Sequence, residues 1–304
     1  MSLDLKVVEE IAAELGITPA FVEKDWYSVQ VLKAVAEHQS EAIETLFAGG
    51  TSLSKGYGLI QRFSEDLDFR CRYITSDSGN QNKKIRSAYR SSMVSCIQAI
   101  EHLDLDESKV AVASNYIKFP LGYLQQYAVH TPLRPNLEVE FSFTQPRLAP
   151  QRKPIQSLIS TFTGGFPETE ILCLSPIETG ADKLSALTWR ILRRKRSDPS
   201  DDPALIRHLH DLCALNSILE QEQALFIDAA HASFNGDQKA GKRETNAAFY
   251  PSLQSALVQL RGDALYRQEY QQFVDAMSYA DDEDAISFDR AVASFEAMTA
   301  LFET

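Results

Sequence analysis

The stretch FAGGTSLSKGYGLIQRFSEDLDF, Phe47 to Phe69, constrains this chain more than any other. TLFAGG reads as a short strand ending in glycine, Thr51 to about Ile60 as a helix, and DLDFRCRY as a strand with alternating faces. Side chains alternate along a strand, so Asp66 and Asp68 share one face while Leu67 and Phe69 point into a core. Two carboxylates that close repel, and a divalent cation removes the conflict. Oxygen-only ligands suit Mg²⁺ or Mn²⁺, which favour carboxylates, phosphate oxygens and water. Gly49 and Gly50 let the backbone turn tightly and approach a ligand, and the helix after them directs free N–H groups into the turn. Thr51, Ser52 and Ser54 add hydroxyls and Lys55 a charge. Either half alone is a weak signal, since solvated acidic pairs and glycine turns are common. In the order strand, glycine pair, helix, acidic strand, they describe a site for a nucleoside triphosphate with a metal between the halves.

A chain of 304 residues, 44% of them hydrophobic, can bury one large core or two smaller ones, and domain sizes favour two linked units. No run approaches the roughly 20 apolar residues of a membrane helix, and MSLDLKVVEE lacks the regions of a signal peptide, so the expected location is cytoplasmic with no membrane partner. Cys71, Cys96, Cys173 and Cys213 are scattered without a CxxC pair, which indicates neither a zinc knuckle nor a disulfide framework. A net charge of −12 argues against a protein that coats nucleic acid through bulk electrostatics and leaves room only for a local basic patch. One such patch is the run Arg190, Arg193, Arg194, Lys195 and Arg196.

Apolar spacing predicts helices over Leu5–Leu15 and from Pro19 to about Ala36, separated by Gly16. Ser76 to Asn82 reads as a polar loop and Lys83 to His102 as a helix. NYIKFPLGYL and NLEVEFSF alternate as strands, with Pro120 pushing the first toward a sheet edge or a break. The proline-rich residues from Thr144 to Pro154 read as a loop. Beyond Pro176 the strand signal fades and helical patterns continue to Thr304. The fold class expected is α+β: a mixed, mostly antiparallel sheet flanked by helices over residues 1–174, then a helical domain over residues 175–304 closing an active-site cleft. Ser175, Pro176 and Glu178 form a capping-box signature, and Asp202 with Pro203 opens a second helix carrying Leu205, Leu209 and Leu212 on one face.

Gly49-Gly50-Thr51-Ser52-Leu53-Ser54-Lys55 and Arg62-Phe63-Ser64-Glu65-Asp66-Leu67-Asp68 resemble the AbiEii/AbiGii toxins of the DNA polymerase β-like nucleotidyltransferase superfamily. Glu23-Lys24-Asp25-Trp26 is similar to the run that precedes the glycines in that group, and the resemblance extends from about Glu23 to Leu215. It implies a third carboxylate on a later strand, for which NLEVEFSF offers Glu138 and Glu140, with Glu140 the better match; either can also be a solvent-facing strand residue. It assigns Lys183 to the triphosphate, where the plain alternative is a lysine snorkelling at the edge of an apolar stripe. It gives Asp211 the task of positioning that lysine or the substrate. His208 and His210, two apart on a helix, point away from each other and poorly suit a shared metal. The basic run beyond Lys183 fits a polynucleotide backbone or an ordinary solvated helix end equally well.

The expected activity is metal-dependent transfer of a nucleoside monophosphate from an NTP to an acceptor hydroxyl. Asp66, Asp68 and Glu140 are the expected metal ligands, and Gly49, Gly50, Thr51, Ser52 and Lys55 contact the nucleotide. Lys183 and Asp211 complete the catalytic set. The resemblance implies the 3′ end of tRNA as acceptor and a cognate antitoxin as partner. Two alternatives are a non-catalytic nucleotide-binding protein and a transferase acting on a protein or small molecule.

Overall fold

The computed structural model describes residues 3–38, 40–75, 79–129, 133–281 and 283–303. Contacts divide the chain into one unit of Met1–Gly58 with Phe63–Leu174 and a second of Leu59–Arg62 with Ser175–Thr304.

In the first unit, helices α1 (Leu5–Leu15) and α2 (Pro19–Glu37) lead into strand β1 (Ile43–Ala48), helix α3 (Gly49–Lys55) and strand β2 (Asp66–Tyr73). Helix α4 (Gly79–Gln98) is followed by strands β3 (Leu103–Leu105), β4 (Ala111–Ala113), β5 (Tyr116–Tyr123), β6 (Leu137–Ser142) and β7 (Gln151–Ile155), helix α5 (Leu158–Phe162) and strand β8 (Thr169–Cys173). The strands form one sheet in the order β3-β5-β6-β2-β1-β8-β7, with β4 also paired to β5. The β1–β8 and β2–β6 pairs are parallel and the others antiparallel, so the α+β, mostly antiparallel fold expected from the sequence is the one that forms.

Strict alternation builds this sheet: in β2, β5 and β6 every second residue is buried. The buried face carries Phe47, Phe69, Phe119 and Phe141, with the Phe69 and Phe141 rings stacked at 4.9 Å. Each such side chain contributes about 1.5–3 kcal/mol through burial. Helix α4 covers this face through Tyr89, Met93 and Ile97. The opposite face presents Asp66, Asp68, Glu138 and Glu140.

Several expectations need correction. Helix α3 ends at Lys55 rather than near Ile60, capped at Gly56, and Leu59–Arg62 packs with the second unit. The polar loop expected over Ser76–Asn82 has Ser76–Ser78 outside the described residues, and Gly79 already opens α4. Gln151–Ile155, read as loop, is an edge strand in which Pro154 costs little because only one side is paired. Pro120 neither breaks β5 nor moves it to the edge. It falls where the outer neighbour changes from β4, paired to Tyr116–Lys118, to β3, paired to Leu121–Tyr123, so its missing N–H leaves no gap on that side.

The second unit contains helices α6 (Pro176–Arg193), α7 (Arg207–Gln221), α8 (Gln223–Lys239), α9 (Phe249–Gly262), α10 (Leu265–Phe273) and α11 (Phe288–Ala300). Helix α6 packs on α7, α8 and α9 through Leu184, Leu187 and Ile191. Ser175 stands at its N-cap with Pro176 first, but the hydroxyl makes no cap bond and the capping box does not form. Instead the Ser175 carbonyl accepts from the Thr179 N–H and hydroxyl, and Glu178 is fully buried. Asp202 caps a short 3₁₀ turn, Pro203–Ile206, that runs into α7, and Leu205, Leu209 and Leu212 are buried. No helix among the described residues is long and apolar enough to cross a membrane.

Candidate active site

Strands β2 and β6 run parallel with Asp66 opposite Glu138 and Asp68 opposite Glu140. Neighbouring strands lie about 4.8 Å apart, so four carboxylates occupy one patch of the sheet. Such an array is tolerated only when cations are interleaved with it. Two are present. Arg134 bonds Asp66 through Nη2, Glu138 through Nη1 at 2.6 Å and Glu65 through Nε at 3.0 Å. Lys118, opposite Glu140 on β5, reaches Glu138 at 2.5 Å and Glu140 at 3.0 Å. Burial opposes the charge on both cations, yet the surrounding carboxylates raise both above their ordinary pKa values. Among the described residues no three His, Cys, Asp or Glu side chains are grouped as a ready metal cage.

The glycine turn meets this patch at Asp68. Gly49 has φ +71°, and a Cβ built there would overlap the Asp68 carboxylate, 2.8 Å from its Cγ. Ala48, opposite Asp68 in the β1–β2 ladder, offers no side-chain cap to the first turn of α3. Of the expected nucleotide contacts, Gly49 and Gly50 therefore lie beside the acidic strand. Thr51, Ser54 and Lys55 are engaged elsewhere, while the Ser52 hydroxyl has no hydrogen-bond partner among the described residues. Thr51 donates to the Asp66 carbonyl at 2.5 Å, which fixes the start of β2 against α3. Ser52 is buried, and Ser54 bonds the Thr51 carbonyl. Lys55 pairs with Asp25 at 2.5 Å and bonds the Gln156 carbonyl at 3.2 Å.

Behind the patch lies a support that sequence reasoning did not assign. Glu65, almost fully buried, accepts from Lys24 Nζ at 2.7 Å and from Arg134 N and Nε at 3.0 Å each. Burial works against its charge, but Lys24 and Arg134 hold its carboxyl below the usual range. Arg134, Lys118 and Glu65 are thus residues of the site that motif reading missed. Lys118 carried a usable signal, since NYIKFPLGYL alternates and places it on the polar face. Arg134 carried none, because it lies in a loop and two of its three carboxylate partners, Glu65 and Asp66, are 69 and 68 positions away.

In the second unit Asp211 on α7 is fully buried and accepts from Arg62 Nε at 2.9 Å and Nη2 at 2.7 Å. Lys183 on α6 reaches the same carboxylate at 2.8 Å, and His210 Nδ1 lies 3.1 Å from it. Burial raises Asp211, but Arg62 and Lys183 outweigh it and hold the carboxyl well below its ordinary range. Lys183 is nine-tenths buried and directed by Asp211 rather than snorkelling. His208 has no part in this cluster's hydrogen bonds, and its covered Nδ1 finds no partner. The basic run is largely consumed internally. Arg190 pairs with Asp202, Arg194 with Asp201 and Glu269, and Arg196 with Asp263 and Glu269, so these three charges are balanced within the helical unit.

No curated protein sequence matches the chain. Among solved structures it is similar to MenT4, a nucleotidyltransferase toxin from Mycobacterium tuberculosis H37Rv, at 16% identity and a TM-score of 0.57 over 100% of both chains. At that identity the likeness speaks for the fold. The family model for the nucleotidyl transferase AbiEii toxin of type IV toxin–antitoxin systems matches residues 30–294. A match over that much of the chain decides the matter: the protein belongs to the AbiEii family of nucleotidyltransferase toxins.

Proposed function

We propose that the enzyme transfers a nucleoside monophosphate from an NTP to an acceptor hydroxyl at the 3′ end of tRNA, with Asp66, Asp68 and Glu140 as the carboxylates for Mg²⁺ or Mn²⁺. The observation that carries this reading is the contact of the Gly49 turn with Asp68, beside Asp66 and in register with Glu140. The donor set is all oxygen, and Arg134 and Lys118 already hold positive charge on it, so these residues fit a hard cation. Such an ion, when bound, supplies charge for the triphosphate and lowers the pKa of the attacking hydroxyl. The protein's own share is positioning. Gly49 and Gly50 offer a side-chain-free approach for phosphate oxygens, while Thr51 holds the acidic strand in place. Arg134 and Lys118 keep the like charges together until substrate arrives. Lys183, whose ammonium Asp211 directs, is the further cation that the family resemblance assigns to the triphosphate.

Incubation with each α-labelled NTP and Mg²⁺, with tRNA, protein or no acceptor, tests the reading. Label on tRNA, lost in Asp66→Ala and Asp68→Ala, is expected. Label on a protein or small molecule replaces the acceptor but keeps the chemistry. Unchanged transfer in both variants removes the carboxylates from the mechanism.

A further inference from the structure

Helix α4 carries Lys83, Lys84, Arg86 and Arg90 and no acidic residue over its whole length, in a chain of net charge −12. Elsewhere most of the protein's cations are matched by carboxylates, as in the run beyond Lys183. Here they are not: among the described residues no carboxylate pairs with Lys83, Lys84 or Arg90. Lys83, Arg86 and Arg90 recur at helical spacing and so line one face. Together with Ser87, Val112 and Ile117 they border a groove of about 540 Å³ between α4 and the β4–β5 hairpin. Arg86 is fixed there, donating to the Tyr73 hydroxyl at 2.8 Å with its guanidinium 5.9 Å from the Phe143 ring centre.

The groove lies at the sheet edge nearest the carboxylates. Ala111 and Ala113 of β4, both exposed, pair with Lys118 and Tyr116 of β5, and Lys118 in turn pairs with Glu140. From β4 to β2 is three strand spacings, or about 15 Å. Helix α4 and the carboxylates stand on opposite faces of the sheet, so an extended strand lying along α4 reaches the acidic face by passing over the β4 edge at Ala111 and Ala113 and then Lys118.

We propose that this groove binds the phosphate backbone of the RNA acceptor, with Lys83, Arg86 and Arg90 as its phosphate contacts. The inference rests on the reading of the acceptor as RNA. Charge complementarity selects the occupant: an acidic protein repels a polyanion everywhere except at a local basic patch, and this is one whose cations are not already neutralised. Serine and fixed arginine donors beside unpaired lysine suit phosphate oxygens without reading bases.

The test uses the full-length protein and unfractionated deacylated tRNA. Lys83→Glu with Arg90→Glu is compared with Lys6→Glu with Lys239→Glu, which reverses as many charges away from the groove. The groove variant is expected to lose about tenfold or more in tRNA affinity, and the slope of log affinity against log salt is expected to shrink by about 2. In label transfer KM for tRNA rises while kcat at saturating tRNA and NTP binding stay unchanged. Ser87→Lys, which adds a charge to the groove, is expected to tighten binding, so the result does not hang on loss alone. Wild-type tRNA binding matched by the groove variant overturns the groove and leaves the RNA acceptor standing. Failure of the wild type to bind or label tRNA overturns both. Loss only of binding to an acidic polypeptide, with tRNA unaffected, overturns the proposal in favour of a protein partner.

Discussion

Gly49 is the residue on which the acidic patch most directly depends. Its positive φ and the absence of a Cβ together let the turn close onto Asp68. Gly49→Ala should therefore displace the Asp68 carboxylate and strain the turn by about 1–3 kcal/mol. A displacement of about 1 Å at reacting groups costs about a hundredfold in rate. Transfer assays should show this loss with the fold retained by circular dichroism; wild-type turnover would mean that Asp68 is not needed where it stands. Arg134 makes the opposite kind of prediction. Its guanidinium occupies Asp66 and Glu138, so it competes with any cation for the same oxygens. Arg134→Gln should lower the Mg²⁺ concentration needed for half-maximal transfer, read by titration at saturating NTP, whereas a higher requirement would make Arg134 a group that shapes the metal site. At this scale the sequence was legible where spacing alone decides the outcome, as for Asp66 and Asp68. It was not where a side chain's task depends on long-range pairing. Lys55 looks like a phosphate ligand until Asp25, 30 positions earlier, is found beside it.

The same contrast governs whole elements. Helix α2 buries Glu23, Lys24 and Asp25 in succession, and each is satisfied by a different segment. Glu23 accepts from the N–H groups of Gln126 and Tyr127, Lys24 bonds Glu65 and the Arg134 carbonyl, and Asp25 takes the Leu158 N–H and Lys55. The acidic-basic-acidic run noticed in the sequence is thus a clamp that sets three loops around the sheet, Arg134's among them. Lys24→Met leaves Glu65 buried with one partner fewer and should cost about 3–5 kcal/mol. Replacing Glu65 by Leu as well should recover much of that stability by thermal melt while transfer stays low, because Arg134 has lost its anchor. Equal stability in the single and double variants would show that the Lys24–Glu65 pair is not what holds the loop. The run was visible, but its partners lie 30 to 133 residues away, beyond any local pattern. Strands β2, β5 and β6 were legible because alternation over six to eight residues leaves few alternatives. Strands β3 and β4, with three residues each, and the proline-bearing β7 exist only because a neighbour supplies their hydrogen bonds.

For the molecule as a whole, an excess of acidic groups makes pH a direct probe of which carboxylates the fold depends on. Asp211 joins a chain segment from before the acidic strand, through Arg62, to helices α6 and α7 of the second unit. That connection was hidden in the sequence, where Arg62 reads as part of the motif around Asp66 and not as a partner for a residue 149 positions on. Arg62 and Lys183 overcome burial and depress the Asp211 carboxyl well below its unfolded value. A depressed acid stabilises the folded state above the unfolded pKa, and that contribution drains away as pH falls from there toward the folded one. Stability from Asp211 should therefore be complete near neutrality and begin to fall only below about pH 4. Asp211→Asn removes the charge but not the shape, and should cost about 3–5 kcal/mol at neutral pH by stranding two cations. Because the variant has no proton to gain at that position, its loss of stability between about pH 5 and about pH 2 should be shallower than that of the wild type. Denaturant melts across that range decide it: convergence of the two curves toward low pH is expected, while curves that stay parallel would place the cluster's stabilising charge on some group other than Asp211.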